Sequence, residues 1–201
     1  LDTLLILIAV AGLAGLVDAI AGGGGLLALP ALLWAGLPPV QALATNKLQG
    51  TFGTLTASVH YVRKGEIDLA RLQLPIALTA VGSVSGTLAV QHLGSETLQQ
   101  IVPLLLIAFA LYFLFSPRIG DQDAHHRISH ALFGLLIGFG VGFYDGFFGP
   151  GTGSFFAVAF VMLLGYNLRR ATAGTKLLNF TSNLASLLLF AWGGHVLWVV
   201  G

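Results

Sequence analysis

Eight apolar runs, separated by short stretches that hold nearly all of the charge, dictate the kind of molecule this chain can form. The runs fall at about 3–21, 26–37, 45–62, 72–93, 98–116, 131–148, 153–166 and 174–192, with an apolar stub to Gly201. A bilayer crossing takes about 20 residues and rarely fewer than about 17. The third, fourth, fifth and eighth runs therefore read as ordinary membrane helices, whereas the second and seventh are short. With 56% of its residues hydrophobic and 8% charged, the chain lies outside the soluble range, and the expected fold is all-α, a polytopic membrane protein. Pro75 and Pro103 fall where the first turns of the fourth and fifth helices are expected, the place where a missing N–H costs least.

Several classes of function drop out. A net charge of +1 without a basic tract gives nucleic acid no footing, and the absence of cysteine removes disulfides, thiol catalysis and cysteine-metal clusters. The glycines at 22–25 precede no Gly-Lys-Ser/Thr and follow no βαβ pattern, so they do not bind a nucleotide, and no cofactor is expected. His125, His126 and His130 sit near Asp121 and Asp123, but nothing there sets a coordination geometry; the loop reads as a solvated connection without a metal. The first run lacks a basic leader segment and reads as mature protein, while Leu1 in place of Met implies a trimmed N-terminus.

The second constraint is a repeat. Ala14-Gly15-Leu16-Val17-Asp18-Ala19-Ile20-Ala21-Gly22-Gly23-Gly24-Gly25 returns as Gly140-Val141-Gly142-Phe143-Tyr144-Asp145-Gly146-Phe147-Phe148-Gly149-Pro150-Gly151-Thr152-Gly153, which places Asp18 and Asp145 127 positions apart. Gly36, Ala42 and Lys47 then match Gly165, Ala171 and Lys176 at a spacing of 129, after a two-residue insertion. The chain divides into a first repeat at 1–127, with five helical elements, and a second at 128–201, with three. Counterparts of the fourth and fifth runs are expected at roughly 201–222 and 227–245, so the second half is incomplete in this chain. Lys and Arg mark cytoplasmic loops. Arg63, Lys64 and Arg71 follow the third run while Gly193-Gly194-His195 follows the eighth; Arg169 and Arg170 follow the seventh while Leu37-Pro38-Pro39-Val40 follows the second. Matched loops carry opposite bias, as an inverted repeat requires, and the count leaves the N-terminus extracytoplasmic.

Four ionisable residues, Asp18, Lys47, Asp145 and Lys176, lie within or at the start of apolar runs, where a charge is expensive and marks function by default. Gly22, Gly23, Gly24, Gly25, Gly149, Gly151 and Gly153 break the helix in each half and let N–H groups converge at a short helix's N-terminus, which favours anions. Ser154 adds a hydroxyl. Lys47 and Lys176 are expected to open the third and eighth helices beside Asn46, Gln49, Thr175 and Asn179. One cation and several uncharged donors per half suit a small oxyanion, with Asp18 or Asp145 available for a coupled proton. The structural alternative is that each acid caps the half-helix after it or pairs permanently with its lysine. Glycines also serve close helix packing, the role expected of Gly82, Gly86, Gly134 and Gly138. Tyr61, Trp192 and Trp198 are placed as interfacial anchors. A cation or proton antiporter built on Asp18 and Asp145 is the second reading. Tyr144-Asp145 also matches half of the intramembrane aspartyl protease motif, but no Gly-x-Gly-Asp follows it. A membrane scaffold would need no broken helices.

These motifs resemble the TauE/SafE sulfite exporter family, also called the TSUP permeases, in its YfcA-like branch. The resemblance rests on Gly15 to Gly25 with Leu29-Pro30, on Ala44-Thr45-Asn46-Lys47-Leu48-Gln49, on Gly142 to Gly153 and on Thr175-Lys176-Leu177-Leu178-Asn179, and it covers essentially the whole chain. It implies a transporter rather than an enzyme. The implied activity is secondary-active permeation of small sulfur-containing anions such as sulfite, sulfonates or sulfoacetate, across a bacterial inner membrane. The implied partners are the anionic substrate and the lipid bilayer, with a homo-oligomer left open. Family members usually run longer, in keeping with the two helices expected beyond Gly201.

Overall fold

A computed structural model describes residues 2–21, 23–115 and 127–201. The described residues form α1 (Asp2–Ala21), α2 (Gly25–Trp34), α3 (Pro39–Arg63), α4 (Leu69–Gln91), α5 (Ser95–Phe115), α6 (His130–Phe147), α7 (Thr152–Leu164) and α8 (Leu168–Trp192), one helix for each apolar run and no strand. Helices α1, α4 and α6 are long and apolar enough to cross a membrane by length and composition. Although α3 and α8 have 25 residues each, they are less apolar, because one face of each carries the polar residues described below. Large apolar side chains such as Leu104, Ile107, Leu135, Leu136 and Leu188 point outward, as lipid contact requires.

Helix boundaries depart from the apolar runs where first turns are polar. Helix α3 begins at Pro39, in the first helical position, and α8 begins behind Asn167, whose Oδ1 accepts from Arg170 N at 2.9 Å. Both starts lie ahead of the expected 45 and 174, so Lys47 and Lys176 sit about two turns inside their helices rather than opening them. For the same reason Pro75 and Pro103 are interior: α4 starts at Leu69, capped by Asp68 through Arg71 N at 3.3 Å, and α5 starts at Ser95. Opposite Pro75, α6 widens into a π-helical turn over Gly134–Gly138. A Cβ on Gly134 would lie 3.1 Å from Pro75 N, and one on Gly138 3.0 Å from Pro75 O.

A buried, polar seam joins α4, α6 and α8. Gly82 and Gly86 lie directly on the carbonyls of Phe139 and Phe143, and Gly142 and Gly146 on those of Thr79 and Ser83; a Cβ at any of the four would collide with backbone. Small residues allow this approach, and the driving force is close packing, because lipid offers no hydrophobic effect between helices. Side-chain hydroxyls complete the seam. Ser83 Oγ donates to Ser182 O at 2.6 Å and lies 2.6 Å from Ser186 Oγ, while Thr87 Oγ1 lies 2.9 Å from Ser186 Oγ and 3.2 Å from Gly146 O. The glycine pairs expected for packing do pack, Gly82 and Gly86 on α6 and Gly134 and Gly138 on Pro75.

Helices α6 and α7 form a hairpin whose outer ends meet. Arg127 N donates to Leu163 O at 2.9 Å, and His130 Nε2 lies 2.9 Å from the Tyr166 hydroxyl. At that end Arg169 also pairs with Glu66 of the α3–α4 loop, so basic loops distant in sequence gather on one face. The hairpin's turn, at Phe148 to Gly151, lies at the other end, against the turn between α1 and α2; a Cβ on Gly25 would be 3.3 Å from Pro150 Cα.

Candidate functional site

The two turns and the middles of α3 and α8 line a half-open cavity of about 530 Å³. Asp18, Gly24, Gly25, Asn46, Lys47, Gln49, Asp145, Gly149, Gly151, Lys176 and Asn179 line it, drawn from both copies of the repeated motif. Four other expected residues do not. Gly23 is buried against Leu26, and Gly153 and Ser154 belong to the first turn of α7, where Ser154 N donates to Gly151 O at 3.0 Å. Thr175 is buried within α8 one residue out of phase with the face that carries Lys176 and Asn179. Gly22 lies outside the described residues, as do Asp121, Asp123, His125 and His126.

The four charges form two pairs, and each pair crosses between the copies. Lys47 Nζ lies 2.7 Å from Asp145 Oδ2 with both side chains 2% exposed. Lys176 Nζ lies 3.8 Å from Asp18 Oδ2, with side-chain exposures of 5% and 22%, and donates a hydrogen bond to the Asp18 backbone carbonyl. The sequence suggested an acid and a lysine paired within each half; in the structure the partners are exchanged. Neighbours hold them. Asn183 Oδ1 accepts from Lys47 Nζ at 3.2 Å, and Thr152 Oγ1 donates to Asp145 Oδ1 at 2.6 Å. Asp18 Oδ1 accepts from Gly24 N at 3.3 Å, a bond to the residue before α2, whose first-turn amides have no side-chain cap. Charges this deep persist only with such partners, since an unpaired ion at membrane depth costs several kcal/mol, of order 3 or more.

Glycine is required at two points of this wall. Gly149 has φ +98°, and a Cβ there would lie 2.8 Å from Lys47 Nζ; Gly24 lies against the carbonyl of Ala14, where a Cβ would also be 2.7 Å from Asp18 Cβ. On α6, Tyr144 sits beside Asp145 and its hydroxyl donates to Pro150 O, which ties the glycine turn to the helix before it.

Asn183, Thr152, Gly50, Thr56, His60 and Tyr61 also line the cavity and were not anticipated as site residues. Asn183 had a legible signal: it follows Lys176 by seven residues and Asn179 by four, one face of a helix, and its Nδ2 donates to Asn179 Oδ1 at 3.2 Å. Tyr61, expected as an interfacial anchor, is half-buried on this wall.

Comparison with known proteins finds a family of membrane transporters. Residues 7–201 match the family described as sulfite exporter TauE/SafE. The chain is 52% identical to the probable membrane transporter protein YfcA of Escherichia coli K12, over 98% of this chain and 73% of that protein. It is 50% identical to a probable membrane transporter protein of Haemophilus influenzae, over 100% of this chain and 79% of that one, and 23% identical to YunE of Bacillus subtilis, over 96% and 80%. No solved structure matches. An all-helical chain with several apolar helices, a charged cavity among them and relatives named as transporters is a multi-pass membrane transporter rather than an enzyme, and it belongs to the TauE/SafE sulfite exporter family.

Proposed function

We propose that the protein is a secondary-active permease of a bacterial inner membrane that moves a small sulfur-containing anion, of the sulfite, sulfonate or sulfoacetate class, by alternating access. The observation that carries the reading is the meeting of Lys47 and Lys176 in one cavity whose other lining groups include the carboxamides Asn46, Gln49, Asn179 and Asn183. Lysines supply positive charge and amides orient an oxyanion. The cavity's two lysines balance its two aspartates, so an anion binds there by displacing a carboxylate, and a proton taken up by Asp18 or Asp145 restores neutrality. Coupling to protons follows from that balance.

The two halves, 1–127 and 128–201, are read as inverted repeats that rock about this site, with the N-terminus outside and the gathered Arg and Lys loops inside. Opposite charge bias in matched loops and the exchanged ion pairs support the inversion. An antiporter using Asp18 and Asp145 for a cation fits less well, because each carboxylate already faces a lysine, at 2.7 Å for Asp145 and 3.8 Å for Asp18.

The test is thermal stabilisation of the purified protein by sulfite, thiosulfate, 2-aminoethanesulfonate and sulfoacetate at several pH values, with chloride as control. Ligand at one hundred times its Kd adds about 2.7 kcal/mol of stability. At least one sulfur anion is expected to raise the melting temperature, more strongly at lower pH; no response to any of them would remove the substrate assignment.

A further inference from the structure

The two Lys–Asp pairs differ in build, and the difference is written in the sequence. Lys47 and Asp145 touch at 2.7 Å, and each has a second buried partner, Asn183 for the lysine and Thr152 for the acid. Lys176 and Asp18 stand 3.8 Å apart, and the Asp18 side chain is 22% exposed. At the repeat spacing of 129, Asn183 corresponds to Thr54, whose hydroxyl donates to Gly50 O of its own helix at 2.6 Å. Thr152 corresponds to Gly25 at the motif spacing of 127, or to Gly23 once the insertion is counted, and neither has a side chain to offer. The side-chain supports that hold Lys47 to Asp145 therefore have no side-chain counterpart around Lys176 and Asp18, which are held by backbone groups instead: Lys176 Nζ donates to the Asp18 carbonyl and Asp18 Oδ1 accepts from Gly24 N.

We infer that the two pairs divide the work: Lys47–Asp145 is a standing clasp between α3 and α6, and Lys176 is the lysine that receives the anion, which displaces the Asp18 carboxylate. The inference rests on the anion-site reading above and narrows it to one lysine. Drawing Lys47 away from Asp145 leaves two buried charges with only the neutral Asn183 amide and Thr152 hydroxyl as side-chain partners, and breaking such a pair is strongly unfavourable. Moving Asp18 aside is cheaper, since its carboxylate keeps the Gly24 N–H and is already partly open to the cavity. The anion replaces it on Lys176 with Asn179 one helical turn along the same face. Lys47 acts in this scheme as a positioning residue, fixing the wall that Lys176 faces.

The same pair of neutral substitutions at both places separates the roles. Lys176→Gln/Asp18→Asn and Lys47→Gln/Asp145→Asn are compared with wild type in detergent, with sulfite as the probe, reading the sulfite Kd by calorimetry and the melting temperature without ligand. The expected outcome is a sulfite Kd raised at least tenfold more by the Lys176 double variant than by the Lys47 double variant, which keeps most of the wild-type ligand-free melting temperature because both buried charges are removed together. Should the Lys47 variant fail to fold, Thr152→Val loosens the clasp without removing a charge and is expected to lower the melting temperature while shifting the sulfite Kd less than Lys176→Gln. Equal losses of sulfite affinity at both sites, or a larger loss at Lys47, overturn the division of labour and leave a symmetric two-lysine site. Wild-type protein that binds no sulfite overturns the anion-site reading itself, and the inference with it.

Discussion

Lys47→Met is expected to be the most destabilising single substitution in the cavity wall, at about 3–5 kcal/mol, the cost typical of removing one partner from a buried ion pair. Asp145 is 1% exposed, and without Lys47 its carboxylate keeps the Thr152 hydroxyl alone among the side chains it contacts. The damage comes from the stranded charge more than from the lost attraction. Adding Asp145→Asn is therefore expected to recover most of the stability, because two neutral side chains remove the uncompensated ion. Melting temperatures in detergent, measured for both single variants and the double, give the coupling between the sites. A Lys47→Met protein that melts with wild type, or a double variant worse than either single, would show that the pair is not what holds α3 to α6.

Gly146→Val is expected to prevent stable assembly of α4 against α6. Its Cβ would fall on the Ser83 carbonyl, a backbone atom that cannot swing aside, and the α4–α6 seam has three further glycines in the same position. Overpacking a well-packed core costs about 1–3 kcal/mol and sometimes more. Here separating the helices also breaks the Thr87 contact with Gly146 O at 3.2 Å, so the upper end applies. Gly140→Val on the same helix is the control: a Cβ there meets nothing within 4 Å. Gly140→Val is expected to express and melt close to wild type while Gly146→Val is lost or melts far lower; equal behaviour of the two would mean that α4 and α6 do not approach closely in the membrane.

Much of the fold was legible because lipid leaves the backbone so few choices. Each apolar run became a helix, and the short second and seventh runs became the short α2 and α7. Boundaries were not legible where polar first turns continue a helix past its apolar part, and that error placed Lys47 and Lys176 at helix starts. Thr175, beside Lys176 in sequence, was credited with a wall position although helical spacing puts Asn179 and Asn183, not Thr175, on the face of Lys176. The acids and lysines themselves stood out by the cost of a charge in an apolar run. Their exchange between copies did not, because one chain's repeat spacing says which residues correspond and nothing about which ones meet. The glycines divided similarly: Gly24, Gly25, Gly149 and Gly151 line the cavity, while Gly153 serves the start of α7.

Uptake of radiolabelled sulfite into proteoliposomes under an imposed proton gradient, by wild type and by Lys176→Gln reconstituted at equal density, shows whether Lys176 carries a transported anion. Saturable, gradient-dependent uptake is expected of wild type, with its loss in Lys176→Gln; uptake that survives the substitution undiminished would mean that Lys176 does not receive the anion.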